Sequence, residues 1–162
     1  MWNVIKKALG YDIAGLPVLA TFVGCFILMS TTFIWYGGLF KDTFYLGMGI
    51  TEENVTAEVL GLWYPIGMIL SMSQGLGIAI ILKWRNWPSF VEAFATALVA
   101  GFIAATTFGY RLIILPDHNH DLFYVNASGI VTAFVLSALV ITALRPRSEE
   151  ANERMVTMPL EA

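Results

Sequence analysis

The stretch PDHNHD, residues 116–121, contains both histidines of the chain, and each has an aspartate beside it. One residue separates His118 from His120, so in an extended backbone the two imidazoles point to the same side. Imidazole and carboxylate groups are common ligands of zinc and related divalent metals. Together with Asp117 and Asp121, the two histidines therefore form a candidate metal site.

The same stretch also has a purely structural interpretation. Proline, aspartate and asparagine are typical of a short turn between two helices, and Asp121 can cap the helix that follows. His118 and His120 would then be solvated at the membrane surface. A spacing this short is easily met by chance, which favours a turn without a bound cofactor over a divalent metal site.

The composition is too apolar for an ordinary soluble domain. Of 162 residues, 57% are hydrophobic and 13% are charged, whereas charged residues make up about a quarter of soluble domains. The excess apolar surface has to be buried in lipid, and the length suits one domain. A net charge of -3 argues against a nucleic-acid partner, because no basic surface is available to neutralise phosphates.

Four stretches with few or no charges are long enough to cross a hydrocarbon core, which takes about 20 helical residues. They cover about residues 13–36, 59–82, 90–112 and 122–144. The sequence therefore predicts an all-α integral membrane protein, with a four-helix bundle over residues 13–144. Residues 1–12 are expected to lie on the cytoplasmic leaflet, and residues 145–162 to form a polar cytoplasmic tail.

The basic residues predict the orientation of the bundle. The N-terminus, the second connection and the tail hold seven of the nine Lys and Arg residues: Lys6, Lys7, Lys83, Arg85, Arg145, Arg147 and Arg154. Basic residues concentrate on the cytoplasmic side of membrane proteins, so we expect both termini there. The opposite face then holds both histidines and a long outer connection between the first two helices. The expected location is a bacterial inner membrane.

Small residues recur at every fourth position in three of the predicted spans, and such stripes allow membrane helices to approach closely. They are Gly67, Ser71, Gly75 and Ala79 in the second span, Ala93, Ala97, Gly101, Ala105 and Gly109 in the third, and Gly129, Ala133 and Ser137 in the fourth. We expect these three spans to pack on one another along the stripes. Gln74, the one amide well inside a span, is expected to form a hydrogen bond between helices.

The connection between the first two spans contains the motifs WYGGLF and GITEEN. In WYGGLF, Gly37 and Gly38 are expected to free the backbone where the first helix ends. In GITEEN, Thr51 is expected to cap a helix that begins with Glu52 and Glu53. Segments of this kind lie along the membrane surface or re-enter it.

The two motifs resemble those of an uncharacterised family of small four-helix membrane proteins. The matching residues are Trp35, Tyr36, Gly37, Leu39 and Phe40, followed by Thr51, Glu52 and Glu53. The stretch LFYVNASG, residues 122–129, is also similar to the last helix of that family. Gly38 departs from the family, which usually has proline there, and this implies a looser turn. The resemblance implies the fold and no particular activity.

Taken together, these features favour a non-catalytic accessory or scaffold subunit that associates through small-residue helix faces. Its partners would be the lipid bilayer and either another membrane protein or further copies of the same chain. The alternative is an outer-leaflet membrane enzyme, or a transporter of lipids or small molecules, with the His/Asp metal site as its polar centre.

Overall fold

Helices make up nearly all of the structure, a computed structural model that describes residues 12–51, 53, 61, 64–109 and 120–145. A two-stranded antiparallel hairpin, β1 (Asp12–Ile13) and β2 (Leu16–Pro17), comes first. The five described α-helices are α1 (Val18–Ile34), α2 (Lys41–Met48), α3 (Tyr64–Trp84), α4 (Phe90–Gly109) and α5 (His120–Leu144). A π-helical turn, Trp35–Leu39, extends α1.

Four of these helices are long and apolar enough to cross a membrane: Val18–Leu39, Pro65–Trp84, Phe90–Thr107 and His120–Leu144. The predicted all-α class with four spans is confirmed at this level. The first helix begins at Val18 and not near residue 13, because the chain reverses direction in the hairpin. Ala14 and Gly15, at the hairpin turn, both have positive φ angles, 51° and 72°. The predicted tail, from residue 146 onward, lies outside the described residues.

α5 is the central helix of the bundle. It packs against α4 and α1 along its length and against α2 near its start. In an apolar stretch of 18 residues within α5, 44% of the residues are buried inside the protein, whereas the corresponding share in the other three spans is 22% to 28%. The apolar residues that remain exposed on the other helices include Phe26, Val99 and Phe102. The outside of the bundle is therefore suited to a hydrocarbon surrounding.

α1 lies between α3 and α5, and a glycine stands at each contact. A Cβ atom on Gly75 of α3 would lie 2.6 Å from the Cα atom of Cys25, so these two backbones touch. On the other side, a Cβ atom on Gly24 would overlap the side chain of Ile141 in α5. The Ser137 hydroxyl also donates a hydrogen bond to the Gly24 carbonyl, at 2.9 Å. Close backbone approach therefore holds α1 in place.

The stripe of α4 faces α5. Ala93, Ala97, Gly101, Ala105 and Gly109 are all buried. A Cβ atom on Gly101 would lie 3.0 Å from the Cα atom of Val131 in α5. This stripe thus lies where two backbones come close together.

The expected mutual packing of the second, third and fourth spans differs from the structure in one respect. α3 packs mainly on α1 and makes few contacts with α4, while Ser137 of α5 also faces α1. The expected packing along small-residue stripes does not include the first span, although that span contains two small residues four positions apart, Ala20 and Gly24. Gly67 and Ser71, at the start of the α3 stripe, lie outside these tight contacts: no atom lies within 4 Å of a Cβ placed on Gly67.

The two ends of the bundle differ in charge and contacts. At the Arg145 end, where α3 joins α4 and α5 finishes, the Arg145 guanidinium donates to the Trp87 carbonyl and the Lys83 ammonium donates to the Ala14 carbonyl. Arg85 donates to the Thr96 hydroxyl, at 2.9 Å. The opposite end holds α2 and the start of α5, and is called the α2 end.

A reciprocal pair of hydrogen bonds fixes the start of α4. The Ser89 backbone N–H donates to the Glu92 carboxylate at 2.9 Å, and the Glu92 N–H donates to the Ser89 hydroxyl at 3.4 Å. This is a capping box.

Replacing Gly75 with alanine tests the contact between α1 and α3. The added methyl group meets the Cys25 backbone, so we expect Gly75→Ala to lose about 2 kcal/mol of unfolding free energy, a typical cost of overpacking. Gly77→Ala is the matched control, because no atom lies within 4 Å of its Cβ position and alanine favours the helix. Reversible denaturation in mixed micelles measures both. Equal stabilities for the two variants would contradict the contact.

Candidate functional site

The predicted helix end at Gly37 and Gly38 is wrong. Both glycines lie inside the π-helical turn, and the described glycines with positive φ are Gly15 and Gly49. The chain leaves the helical conformation at Phe40, whose φ and ψ are -121° and 26°. A π-helical turn is wider than an α-helical one and is found frequently at functional sites.

The first two motif residues fasten this turn to α5. The Trp35 indole N–H donates to the Val125 carbonyl at 3.0 Å, and the Tyr36 hydroxyl donates to the Asn126 carbonyl at 3.3 Å. Gly129 provides the space, because a Cβ atom there would lie 2.7 Å from the Trp35 ring. The stretch WYGGLF therefore contacts the stretch LFYVNASG. Both stretches carry the resemblance, one after the first span and the other in the last helix.

The other motif residues have different surroundings. Leu39 is 67% exposed, and the Phe40 ring packs on the Trp35 ring with centroids 5.0 Å apart. Thr51 and Glu53 are exposed. Glu52 and most of the helix that Thr51 was expected to cap lie outside the described residues, so that expectation stays a prediction.

α2 folds back beside the π-helical turn and α5. The Phe44 ring lies 4.6 Å from the Tyr36 ring, centroid to centroid, and a Cβ atom on Gly47 would lie 3.0 Å from the Leu122 side chain. Gly49 ends α2 with a φ of 64°, a conformation that glycine adopts at little cost.

An open cleft of about 460 Å³ lies between α1, the π-helical turn, α2 and α3. Its volume falls within the range usual for small-molecule sites. The residues that line it are Met29, Thr32, Phe33, Tyr36, Gly37, Lys41, Phe44, Tyr45, Gly67, Met68 and Ser71.

The hydroxyl groups on the α1 and α3 walls of this cleft are already hydrogen-bonded within the protein. Thr32 donates to the Leu28 carbonyl at 2.9 Å and Ser71 donates to the Gly67 carbonyl at 3.0 Å. At the rim, the Lys41 ammonium lies 5.4 Å from the centroid of the Tyr45 ring. As far as its described lining shows, the cleft therefore combines apolar walls with the cation of Lys41.

The candidate metal ligands lie only partly within the described structure. His120 and Asp121 are exposed residues in the first turn of α5, whereas Asp117 and His118 lie outside the described residues. His120 is already helical, so Asp121 lies inside the first turn of the helix and not at its cap. In the first turn, the negative charge of Asp121 interacts favourably with the helix dipole. No group of three or more His, Cys, Asp or Glu residues suited to a metal occurs among the residues described. The metal site stays a prediction.

Gln74 lies at the middle of α3 and is exposed. Within the described part of the chain, its carboxamide has no hydrogen-bond partner. Gln74 precedes Ile78 by one helical turn and Ile81 by two, so the three lie on one face. Ile78 and Ile81 lie near α4, beside Ala97, while the same face is uncovered at Gln74. Sequence reasoning found this residue but not its exposure.

No protein-family model, curated protein or solved structure matches the chain. The four-helix family suggested by WYGGLF and GITEEN therefore stays a prediction. Two features of the structure bear on function: the cleft with Lys41 at its rim, and the uncovered amide of Gln74.

Replacing Trp35 with phenylalanine tests how the π-helical turn is held. Trp35→Phe keeps a ring but removes the N–H that bonds to Val125, so we expect a loss of about 1 kcal/mol in unfolding free energy. Trp84→Phe is the control, because Trp84 is 78% exposed. Denaturation in mixed micelles compares them. If both variants lose the same amount, the indole bond does not stabilise the turn.

Proposed function

We propose that this chain is a non-catalytic integral membrane protein, an accessory or scaffold subunit that binds another membrane-spanning helix through the Gln74 face of α3. The uncovered carboxamide of Gln74 is the observation that carries the proposal. The resemblance to four-helix membrane proteins agrees with this role and adds no activity to it.

An amide inside hydrocarbon has a strong reason to find a partner. A carboxamide carries two N–H donors and a carbonyl acceptor, and leaving these groups without hydrogen bonds in an apolar medium costs several kcal/mol. Polar side chains in membrane helices are therefore usually directed at another helix. Since Gln74 finds no such partner in the described chain, a helix from another chain is the favoured source.

The residues around Gln74 suit a close approach by such a helix. Gly77 lies about one helical turn later on the same face. A Cβ atom there would meet nothing within 4 Å, and Gly77 does not line the cleft. A small residue at this position lets a second backbone come near. The partner is either another membrane protein or a second copy of this chain.

We infer a location in a bacterial inner membrane with both termini in the cytoplasm, and the charge distribution supports this orientation. Lys83, Arg85 and Arg145 lie together at the Arg145 end, while Asp42 and Asp121 lie at the α2 end. Basic residues favour the cytoplasmic side. On this proposal α2 belongs to the outer connection between the first two spans.

The Gln74→Leu variant tests the association. Tagged protein is extracted in mild detergent, and the accompanying membrane chain, or a second copy with a different tag, is quantified. Loss of the interhelical hydrogen bond should reduce the recovered partner about threefold or more, and Gln74→Asn should keep part of it.

Ser73→Leu is the matched control for this experiment. Ser73 is also exposed, but its hydroxyl already donates to the Leu70 carbonyl at 2.7 Å. The substitution adds similar apolar bulk without removing an unpaired amide, so association should be retained. A wild-type protein that purifies as a monomer with no accompanying chain would contradict the proposal.

Single cysteines test the orientation. Cys25 is buried, so a membrane-impermeant thiol reagent should label the parent protein weakly. In intact cells we expect the reagent to label Asp42→Cys at the α2 end and to reach Ser148→Cys, in the tail, only after the membrane is opened. Labelling of Ser148→Cys in intact cells would contradict the proposed orientation and indicate the opposite one.

A further inference from the structure

We propose that the cleft beside Lys41 binds an acidic phospholipid of the surrounding leaflet, with one acyl chain between α1, α2 and α3 and the headgroup phosphate at the Lys41 ammonium. The site is separate from the helix association proposed above and does not depend on it.

The walls of the cleft suit an acyl chain. Side chains of Met29, Phe33 and Met68 supply apolar surface from α1 and α3. The hydroxyls of Thr32 and Ser71 donate to carbonyls of their own helices, so they offer no donor to a ligand. Between α1 and α3 a polar molecule would lose its hydration and meet no free hydroxyl donor on these two residues, whereas an acyl chain that is already in hydrocarbon enters without that cost.

The rim of the cleft suits an anion. Lys41 is the first residue of α2, is exposed, and is the one charged residue among the described residues that line the cleft. The Tyr45 hydroxyl is a further donor in the lining. Asp42, next in the chain, does not line the cleft. A phosphate at this rim meets a positive charge, and the described part of the lining contains no carboxylate to oppose it.

The opening of the cleft favours a lipid over a water-soluble anion. Phe33 is 55% exposed and Met68 is 38% exposed, and both belong to helices long enough to span the membrane. The cleft is therefore open sideways, toward the hydrocarbon that surrounds the bundle. With a volume of about 460 Å³, it holds a segment of one chain while the rest of the lipid stays in the leaflet.

Native mass spectrometry of the full chain in mild detergent tests the site. Phosphatidylglycerol and phosphatidylcholine with identical acyl chains are added at equal concentration, and the retained lipid is counted for each. We expect wild type to retain phosphatidylglycerol in preference. Lys41→Gln should reduce that preference about fivefold, the effect typical of one basic residue near an acidic headgroup. Lys41→Arg should preserve it.

A second pair of variants separates the chain site from the charge. Gly67→Leu places bulk inside the cleft where a Cβ atom meets nothing, so the protein should fold while retention of both lipids falls. Gly77→Leu is the matched control on the same helix: its Cβ position is equally open, and Gly77 does not line the cleft. Its lipid retention should equal that of wild type.

Three results would overturn the proposal: equal retention of the two lipids by wild type, an unchanged preference in Lys41→Gln, or the same retention in Gly67→Leu and Gly77→Leu. Gln74→Leu is measured alongside. It should keep the phosphatidylglycerol preference even where helix association is lost, so failure of the lipid site and failure of the association are seen separately.

Discussion

The fold depends on backbone contact between α1 and its two neighbours. In hydrocarbon, apolar side chains gain little by leaving lipid for protein, so helices must associate through close packing and hydrogen bonds. Gly24 and Gly75 allow α5 and α3 to approach α1 closely, and Ser137 adds a hydrogen bond to the Gly24 carbonyl. α4 then joins through Gly101 on α5. Large side chains are left for the outer surface, as lipid requires.

The cleft follows from this arrangement and from the π-helical turn. α1 and α3 touch near the middle of α3, at Cys25 and Gly75, and the cleft opens on the α2 side of that contact. There the turn attaches Trp35 and Tyr36 to α5 and places α2 beside α5. The same contacts that stabilise the fold thus create an apolar space with Lys41 at its rim.

Sequence patterns predicted the features set by local physics. The four apolar stretches required four membrane-length helices, and small residues at every fourth position of α4 marked its buried face. The π-helical turn was missed, because Gly37 and Gly38 are equally suited to ending a helix. The role of α1 was also missed, since choosing among possible neighbours depends on the complete three-dimensional arrangement of side chains such as Ile141.

The candidate site was harder to foresee. His118 and His120 are recognisable from the sequence because histidine is a common metal ligand, whereas Lys41 and Phe33 are ordinary residue types for the edge of a membrane. Lys41 and Phe33 come together only after the π-helical turn brings α2 back toward α5. Gln74 was recognisable as an unusual residue, but its exposure depends on how far α4 lies from α3 at the level of Gln74. The spacing of residues within one helix does not predict that distance.

The π-helical turn also sets the direction in which the chain leaves α1. A π-helical turn holds more residues than an α-helical turn, so the chain here contains an extra residue relative to a continuous α-helix. If the same residues were wound as a regular α-helix, everything beyond would rotate by about 100° around the axis of α1. Tyr36 and Lys41 could then no longer both keep their places. The wider winding of five residues therefore decides on which side of the bundle α2 begins.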